Sequence, residues 1–476
     1  MQNNEPECGQ ENITSSDSTS GADDIQEKQY RRMTSGPVSK VVLSMGIPAV
    51  IGMLVTSIYN GADTYFVGQL GTSASGAVGV VFSLMNIIQA IGFTIGQGAS
   101  SLISRRLGEK DYEKANRIAS TSLLLAVAFG IIILGLGLVF LDPFMRLLGA
   151  TETMLPHAKA YANYILLAAP FMVISFVMNN LLRAEGKIKF AMIGISIGGI
   201  LNIGLDPLFI HAFSLGTAGA AIATAISQLI SACILVGAYF KKGFTVVQPR
   251  PNRIELSGGM LIDIFKTGLP ALLRQGLASI SSVALNRSAM VYGDAAVAAM
   301  SIVNKVFMLI FSAALGIGQG YQPVAGYNYG ARKYSRVRAA YKFTLIVSSA
   351  VMTAASAIAF IFAPDIVALF LREDPEVIRI GALALRIQCC AMPTVPFVVT
   401  CNMTFQSVGK AAAASFLSAC RQGVFFLLFI LVLPPLLKLL GVQSAQAAAD
   451  VCTFLVAIPM CITFFKKMPK TDEPDA

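Results

Sequence analysis

Long apolar stretches separated by short polar segments occupy this chain from about residue 41 to residue 465. Twelve of these stretches are long enough for a membrane-crossing helix, which needs about 20 mostly apolar residues. Gly or Pro interrupts several of them, so we expect bent or tilted helices. In chain order, the predicted spans 1 to 12 are 41–66, 74–104, 118–141, 158–182, 190–211, 216–240, 264–291, 295–326, 339–362, 378–406, 411–433 and 446–465. The pattern predicts an all-α membrane protein with twelve transmembrane helices.

Composition supports a membrane protein, since 55% of the 476 residues are hydrophobic and only 13% are charged. A soluble domain does not hide this much apolar surface. Residues 1–40 are polar and contain no apolar core of a signal peptide, so we expect a disordered tail there.

Lys and Arg are concentrated in the tail and in every second connection between spans, which hold most of the 36 basic residues. By the positive-inside rule, these segments face the cytoplasm. We therefore expect an integral, multi-pass protein of the cytoplasmic (inner) membrane with both termini cytoplasmic. Because topology accounts for the net charge of +10, we expect no nucleic-acid partner.

Glycine, proline and glutamine residues recur along the chain at one fixed offset, which indicates two copies of one unit. Gly46 and Pro48 return as Gly268 and Pro270, and the Gly-Gln-Gly motif 96–98 returns at 318–320. Each copy holds six spans, so both copies have the same orientation, as in parallel-repeat transporters. The predicted organisation is a tail 1–40, a first lobe 41–240 (spans 1–6), a cytoplasmic linker 241–263, a second lobe 264–465 (spans 7–12) and a cytoplasmic C-terminus 466–476.

Four segments together resemble signatures of the multidrug and toxic compound extrusion (MATE) family. They are Ile58–Gly68 in span 1, Gly96–Gly108 at the end of span 2, Asn202–Phe209 in span 5 and Gly318–Gly330 in span 8. The resemblance covers residues from about 40 to 465. It implies two six-helix repeats in a V-shape around a central cleft. It also implies export of organic, often cationic, compounds in exchange for protons or sodium ions.

Two acids lie well inside apolar spans of the first lobe, Asp63 in span 1 and Asp206 in span 5. A charged carboxylate at the centre of a membrane costs about 2.5 to 3.5 kcal/mol, so such residues are usually functional. Both fall in the outer half of the lobe, and Asn202 lies one helical turn below Asp206. Thr224 lies about 12 Å deep in span 6 and Tyr161 lies near the outer start of span 4, so one polar cluster can be drawn from four helices.

The resemblance implies that Asp63, Asn202, Asp206 and Thr224 couple transport to an ion, with Tyr161 beside them. Neighbouring buried carboxylates suit proton uptake, and an oxygen-rich set of these four side chains also suits a Na⁺ site. The alternative is a polar cluster that only connects helices. Pro207 removes a helical hydrogen bond next to Asp206 and frees carbonyl groups for a cation or water.

The second lobe carries basic residues within its spans where some family members carry acids, so we expect coupling in the first lobe. These residues are Arg274, Arg287, Lys305, Arg386 and Arg421. They either pair with polar groups inside the bundle or adapt the cleft to anionic or zwitterionic substrates. Asp450 in span 12 is a candidate partner for one of them.

Candidate cleft residues are those whose aromatic, thioether or charged groups suit organic substrates. They are Tyr59, Met290, Met300, Phe307 and Arg274. The chain has no nucleotide-binding loop, and its two histidines stand apart, so we expect neither an enzyme nor a resident cofactor or other metal. We expect small organic substrates, a lipid environment and a functional monomer, since one chain holds both lobes.

The leading hypothesis is a secondary antiporter that exports lipophilic, cationic drugs and toxic organic compounds in exchange for protons or sodium ions. The alternative is a flippase or exporter of lipid-linked or polar metabolites from the same superfamily. A ligand-gated channel or a sensor without transport is a third class.

Overall fold

The computed structural model describes residues 16–70, 72–241, 243–371 and 374–473, and within these ranges all regular structure is helical. Spans 1 to 6 are Val38–Gly68, Thr72–Gly108, Tyr112–Val139, Leu155–Ala184, Ile188–Pro207 with a π-helical turn Leu208–Ala212, and Gly216–Phe240. Spans 7 to 9 are Gly258–Met290, Asp294–Gly330 and Tyr334–Ile361. Spans 10 to 12 are Pro375–Ala391 continued through Met392–Thr394 and Val395–Ser407, then Ala411–Ala419 continued through Cys420–Val424 and Phe425–Leu437, and Leu439–Lys467. Short helices Leu141–Leu147, Pro251–Arg253 and Ala363–Phe370 lie in the connections.

The prediction of an all-α protein with twelve transmembrane helices is confirmed. Among the described residues, eleven helices are long and apolar enough to cross a membrane. The remaining one is span 7, which has 33 residues. Lys266, Arg274 and Arg287 make it more polar than the others.

The linker between the lobes is shorter than the predicted 241–263. Span 7 begins at Gly258 because the Ser257 hydroxyl accepts a hydrogen bond from the Met260 amide at 3.4 Å, a helix N-cap. The first turns of this helix therefore continue beyond the apolar stretch.

The prediction of a disordered tail is wrong for its described part, because Ser16–Thr34 forms a helix that packs on the bundle. The first 15 residues lie outside the described ranges. Tyr30 and Met33, one turn apart, are both buried. The Met33 carbonyl accepts a hydrogen bond from Asn328 at 3.1 Å, and the Tyr30 ring lies 5.0 Å from the Lys110 ammonium. A few apolar side chains on one helical face thus outweigh the polar composition of this segment.

The helix Ser16–Thr34 contacts both lobes at the end of the bundle that carries the basic loops after spans 2 and 8, here called the basic end. Lys110 belongs to the first of these loops and Lys333, 5.9 Å from the Tyr30 ring, to the second. Gln29 donates to the Glu185 carbonyl at 2.6 Å in the turn between spans 4 and 5.

Repeated glycines bring the two lobes into backbone contact at the basic end. A Cβ on Gly98 would lie 2.1 Å from the Ile264 carbonyl oxygen, and one on Gly268 would lie 1.9 Å from that of Thr94. A Cβ on Gly320 would lie 2.5 Å from the Gly46 Cα. Gly46 and Gly268 are repeat equivalents, as are Gly98 and Gly320, so the two contacts are related by the internal symmetry.

A second symmetric pair of contacts lies at the ends of spans 2 and 8. A Cβ on Gly108 would lie 2.1 Å from the Tyr327 oxygen, and one on Gly330 would lie 2.1 Å from the Arg105 oxygen. The recurring glycines of the sequence therefore mark the places where the lobes meet, which we call the glycine seam.

Glu185 fastens the linker to the first lobe just outside the membrane-spanning part of span 4. Its side chain is fully buried and accepts hydrogen bonds from the amides of Val246, at 2.7 Å, and Val247, at 3.3 Å. Burial raises the pKa of Glu185 to about 7, although these two amides oppose the shift.

We expect Gly268→Ala to lower the free energy of unfolding by about 1–3 kcal/mol, since the added methyl group meets backbone that cannot move aside. Thermal unfolding in detergent measures the change. The matched control is Gly276→Ala two turns further along the same helix, where no heavy atom lies within 4 Å of the new Cβ. An equal loss in both variants would contradict the glycine seam.

For Glu185, the raised pKa means that the folded state binds more protons than the unfolded state between pH 4.5 and 7. The free energy of unfolding should therefore decrease as the pH rises through this window, by about 3 kcal/mol. Unfolding measured from pH 4 to 8 should show that Glu185→Gln reduces this slope, whereas Glu109→Gln, at an exposed position, leaves it unchanged. The same slope in Glu185→Gln and in the wild type would refute the assignment.

Candidate functional site

The structure brings the five predicted coupling residues of the first lobe together from four helices. Asp63, Tyr161, Asn202, Asp206 and Thr224 are all buried. The Asn202 amide donates to Asp206 Oδ1 at 3.1 Å and to Thr224 Oγ1 at 3.2 Å. Tyr161 lies beside Asp63 and Thr224. We call this group the acid cluster.

Small residues of span 5 position the acid cluster. A Cβ on Gly199 would lie 2.9 Å from the Tyr59 ring, and one on Gly198 would lie 3.1 Å from Ser231 Cβ. Span 5 therefore fits closely between spans 1 and 6. Pro207 then ends the α-helix, and the chain continues as the π-helical turn Leu208–Ala212. Such turns are frequent at functional sites.

Three oxygen atoms in the acid cluster are buried without a hydrogen-bond partner among the described residues. They are Asp63 Oδ1, Asp206 Oδ2 and Tyr161 Oη. Asp63 and Asp206 are also close enough for their negative charges to repel each other. Unpaired oxygens and repelling carboxylates both favour uptake of a cation, and the set fits either a proton or Na⁺.

A cavity of about 360 Å³ lies between the two lobes and forms the central cleft. This volume is in the range of small-molecule sites. Gln275 of the second lobe donates to Gln89 of the first at 2.8 Å beside the cavity. Asn202 and Thr224 form part of the cavity wall, so they belong both to the acid cluster and to the cleft.

The charged side chains that line the cleft are all basic among the described residues. Arg183 belongs to span 4, Arg274 to span 7 and Arg421 to span 11. Asp63 and Asp206 lie behind the wall rather than in it. The cleft is thus positive, while the nearby acids are enclosed in the first lobe.

Arg421 and Asp450 form a buried ion pair next to the cleft. Arg421 Nε donates to Asp450 Oδ1 at 2.8 Å, and the two side chains are 7% and 0% exposed. Gln388 donates to the other carboxylate oxygen at 2.9 Å. Asp450 is therefore the partner of Arg421, a choice that the sequence left open.

The cleft residues predicted from the sequence divide into two groups. Tyr59, Arg274 and Phe307 line the cavity. The interpretation of Met290 and Met300 as cleft residues is wrong. Met290 ends span 7, three turns beyond the last cavity residue of that helix, and is 66% exposed. Met300 is buried in the helix packing two turns before Phe307, so both lie beyond the end of the cavity.

Arg183 is the main residue that the sequence analysis missed. The predicted span 4 ends at residue 182 and so places Arg183 in a cytoplasmic connection. The helix instead continues to Ala184, and Arg183 lines the cleft with 6% of its surface exposed. By contrast, Arg287, Lys305 and Arg386 are exposed away from the cavity. A basic residue next to the last residue of a helix carries no sequence signal that separates a loop cation from a cleft cation.

Two six-helix lobes around a cleft, with buried acids beside it, define a polytopic membrane transporter. Residues 48–208 and 270–432 match the model of the MatE family, one match in each repeat and together more than half of the chain. The chain belongs to the MATE family of efflux transporters.

Similar proteins include the multidrug export protein MepA of Staphylococcus aureus (strain MSSA476), with 28% identity over 435 residues, 91% of this chain and 96% of that protein. Among solved structures, MATE in complex with MaL6 has a TM-score of 0.89 and 29% identity, covering 93% of this chain and 100% of that one. An outward-facing conformation of a multidrug resistance MATE transporter has a TM-score of 0.88 and 30% identity, covering 93% and 98%.

We expect Asp450→Asn to destabilise the protein by about 3–5 kcal/mol, because Arg421 would then remain as an uncompensated buried charge. The double variant Arg421→Gln with Asp450→Asn should lose less stability than Asp450→Asn alone, since it removes both charges. Thermal unfolding in detergent tests this, with Asp263→Asn at an exposed site as the control. A double variant less stable than Asp450→Asn would show that the ion pair is not the reason for the loss.

Proposed function

We propose that this protein is a secondary antiporter that exports lipophilic organic compounds, including cationic drugs, in exchange for protons or sodium ions. The observation that carries the proposal is the acid cluster, in which Asp63 and Asp206 each retain an unpaired buried oxygen. A membrane protein keeps such groups where they bind an ion. The name of the MepA relatives, multidrug export protein, supports the substrate class.

Coupling follows from the double position of Asn202 and Thr224. The Asn202 amide donates to both Asp206 and Thr224, and Asn202 and Thr224 also line the cleft. When the carboxylates take up a cation, Asp206 becomes a weaker acceptor for the Asn202 amide. Asn202 can then change its orientation, and with it the shape of the cleft wall. By linkage, a substrate that prefers one arrangement of the wall lowers or raises the affinity for the cation.

We infer that the basic end faces the cytoplasm, as the positive-inside rule requires, with both termini on that side. Because the glycine seam closes the lobes at this end, the conformation is then outward-facing. Exchange of one ion for substrate would occur as the lobes separate at the seam and approach at the opposite end. A single charge moving down 100 mV supplies about 2.3 kcal/mol, enough to drive such a cycle.

The cleft walls suit lipophilic substrates. Phe307 and Phe311 stack with ring centroids 5.5 Å apart, and Met53 and Met308 provide flexible apolar surface. One chain supplies both walls, so a monomer suffices for transport. The coupling ion is cargo rather than a resident cofactor.

The alternative, export or flipping of lipid-linked or polar metabolites, is favoured by one observation, the arginines of the cleft. The two functions differ in whether an imposed ion gradient drives the transport of a soluble lipophilic compound. The same transport experiment therefore distinguishes them.

In proteoliposomes loaded with a fluorescent cationic dye, we expect Asp63→Asn and Asp206→Asn each to abolish gradient-driven transport. Each change removes a carboxylate that the coupling ion needs. Imposing a pH gradient and a Na⁺ gradient separately identifies the ion.

Asp294→Asn, at an exposed acid at the start of span 8, is the control and should transport like the wild type. Unchanged transport in both cluster variants would overturn coupling at Asp63 and Asp206. Dye transport by the wild type that needs no gradient would overturn antiport itself.

A further inference from the structure

We infer that the cleft contains a subsite for the carboxylate of an aromatic organic substrate, formed by Arg274 and Arg421 against Phe311. The inference rests on the proposed function in that it names a chemical class for the cargo of the same cleft. It adds that anionic or zwitterionic compounds are preferred over neutral analogues of the same shape.

The first support is an uncompensated positive charge. Three arginines line the cleft, and Arg421 is the only one with an ion-pair partner in the part of the chain that is described. Arg274 donates one hydrogen bond, to the neutral amide oxygen of Gln97 at 3.3 Å. Unpaired guanidinium groups inside a membrane are costly, and an anionic ligand would offset that cost.

The second support is the state of Arg421. Asp450 receives its Nε hydrogen, while one of its terminal nitrogens, Nη2, is buried without a hydrogen-bond partner. Gln388 at 2.9 Å and Gln446 at 3.0 Å also donate to Asp450 and so fix the carboxylate. The ion pair therefore orients Arg421 but does not use all of its hydrogen-bond donors. An N–H group remains that can donate to a carboxylate oxygen of a ligand.

The third support is the place where the two arginines meet. Arg274 and Arg421 line both the central cleft and a smaller adjoining cavity of about 30 Å³ between spans 7, 8, 10 and 11. That space accommodates a group the size of a carboxylate. Ser418, on its wall, accepts from Asn402 at 3.0 Å and keeps its own O–H to donate.

The aromatic part of the substrate has a matching surface next to this position. The Arg421 guanidinium lies 4.5 Å from the Phe311 ring centroid, and Phe311 stacks on Phe307 along the cleft wall. A ligand with its carboxylate at the arginines would lay its ring along these phenylalanines. This arrangement selects for an aromatic acid rather than a small inorganic anion.

The test is equilibrium binding of three dansyl probes to the full chain in lipid nanodiscs, with no ion gradient. Dansylglycine carries a carboxylate, dansylglycinamide is its neutral analogue, and dansylcadaverine carries an amine. Probe fluorescence is corrected with empty nanodiscs, which removes partition into lipid. We expect dansylglycine to bind at least about tenfold more tightly than dansylglycinamide, as one charge-assisted contact provides.

The decisive variant is Arg274→Gln, which removes a charge that has no ion-pair partner and therefore leaves no buried acid behind. It should weaken dansylglycine binding about tenfold or more and leave dansylglycinamide binding unchanged. Arg287→Gln, on the same helix but facing a separate groove, is the matched control and should change neither. The double variant Arg421→Gln with Asp450→Asn repeats the test at the second arginine without leaving an unpaired acid. Arg421→Lys should keep only part of the wild-type affinity for dansylglycine.

Equal binding of dansylglycine and dansylglycinamide, or an equal effect of Arg274→Gln on both, would overturn the subsite. Absence of dansylglycine binding up to its solubility would overturn it as well. Dansylcadaverine has no carboxylate, so Arg274→Gln should not weaken its binding, and a loss as large as that for dansylglycine would also overturn the subsite. Because binding is measured without a gradient, a failure of antiport leaves this result intact, and a failure of the subsite leaves gradient-driven dye transport intact.

Discussion

Backbone-to-backbone contact between the two lobes at the glycine seam is the constraint on which the rest of the structure depends. At Gly98, Gly268, Gly108 and Gly330, a Cβ would lie 1.9 to 2.1 Å from a carbonyl oxygen of the opposite lobe. Because the lobes meet this closely at one end, the space between them is left at mid-depth, where polar and apolar side chains of both copies form the cleft. The internal repeat makes the contact twice, so the same geometry closes both sides of the symmetry axis.

The two copies share a scaffold but differ in charge. Asp63 has Leu285 as its repeat equivalent, and the second lobe carries Arg274 and Arg421 at the cleft. Negative groups are therefore enclosed in the first lobe, whereas positive groups face the cavity from both lobes, Arg183 from the first and Arg274 and Arg421 from the second. Asn202 and Thr224 separate the two regions and belong to the surfaces of both. The two repeats therefore place opposite charges beside the same cleft.

Sequence patterns were sufficient to predict the features that depend on whether a residue lies in water or in the membrane. The apolar stretches located all twelve helices, and depth along spans 1 and 5 was sufficient to bring Asp63, Asn202 and Asp206 together. The failures have a different physical basis. Arg183, near a helix end, lines the cavity, whereas Met300, two turns from Phe307, does not. The difference depends on how far the cavity extends, which packing decides. The docked helix Ser16–Thr34 depends on contacts with loops distant in the chain, which local composition does not encode.

That N-terminal helix connects the two lobes. Tyr30 lies between lysines of the two repeat-equivalent loops, and Gln29 is bonded to the turn between spans 4 and 5. Separation of the lobes at the basic end would therefore break at least one of these attachments. The helix Ser16–Thr34 is thus a third connection between the lobes, and it lies apart from both the acid cluster and the cleft.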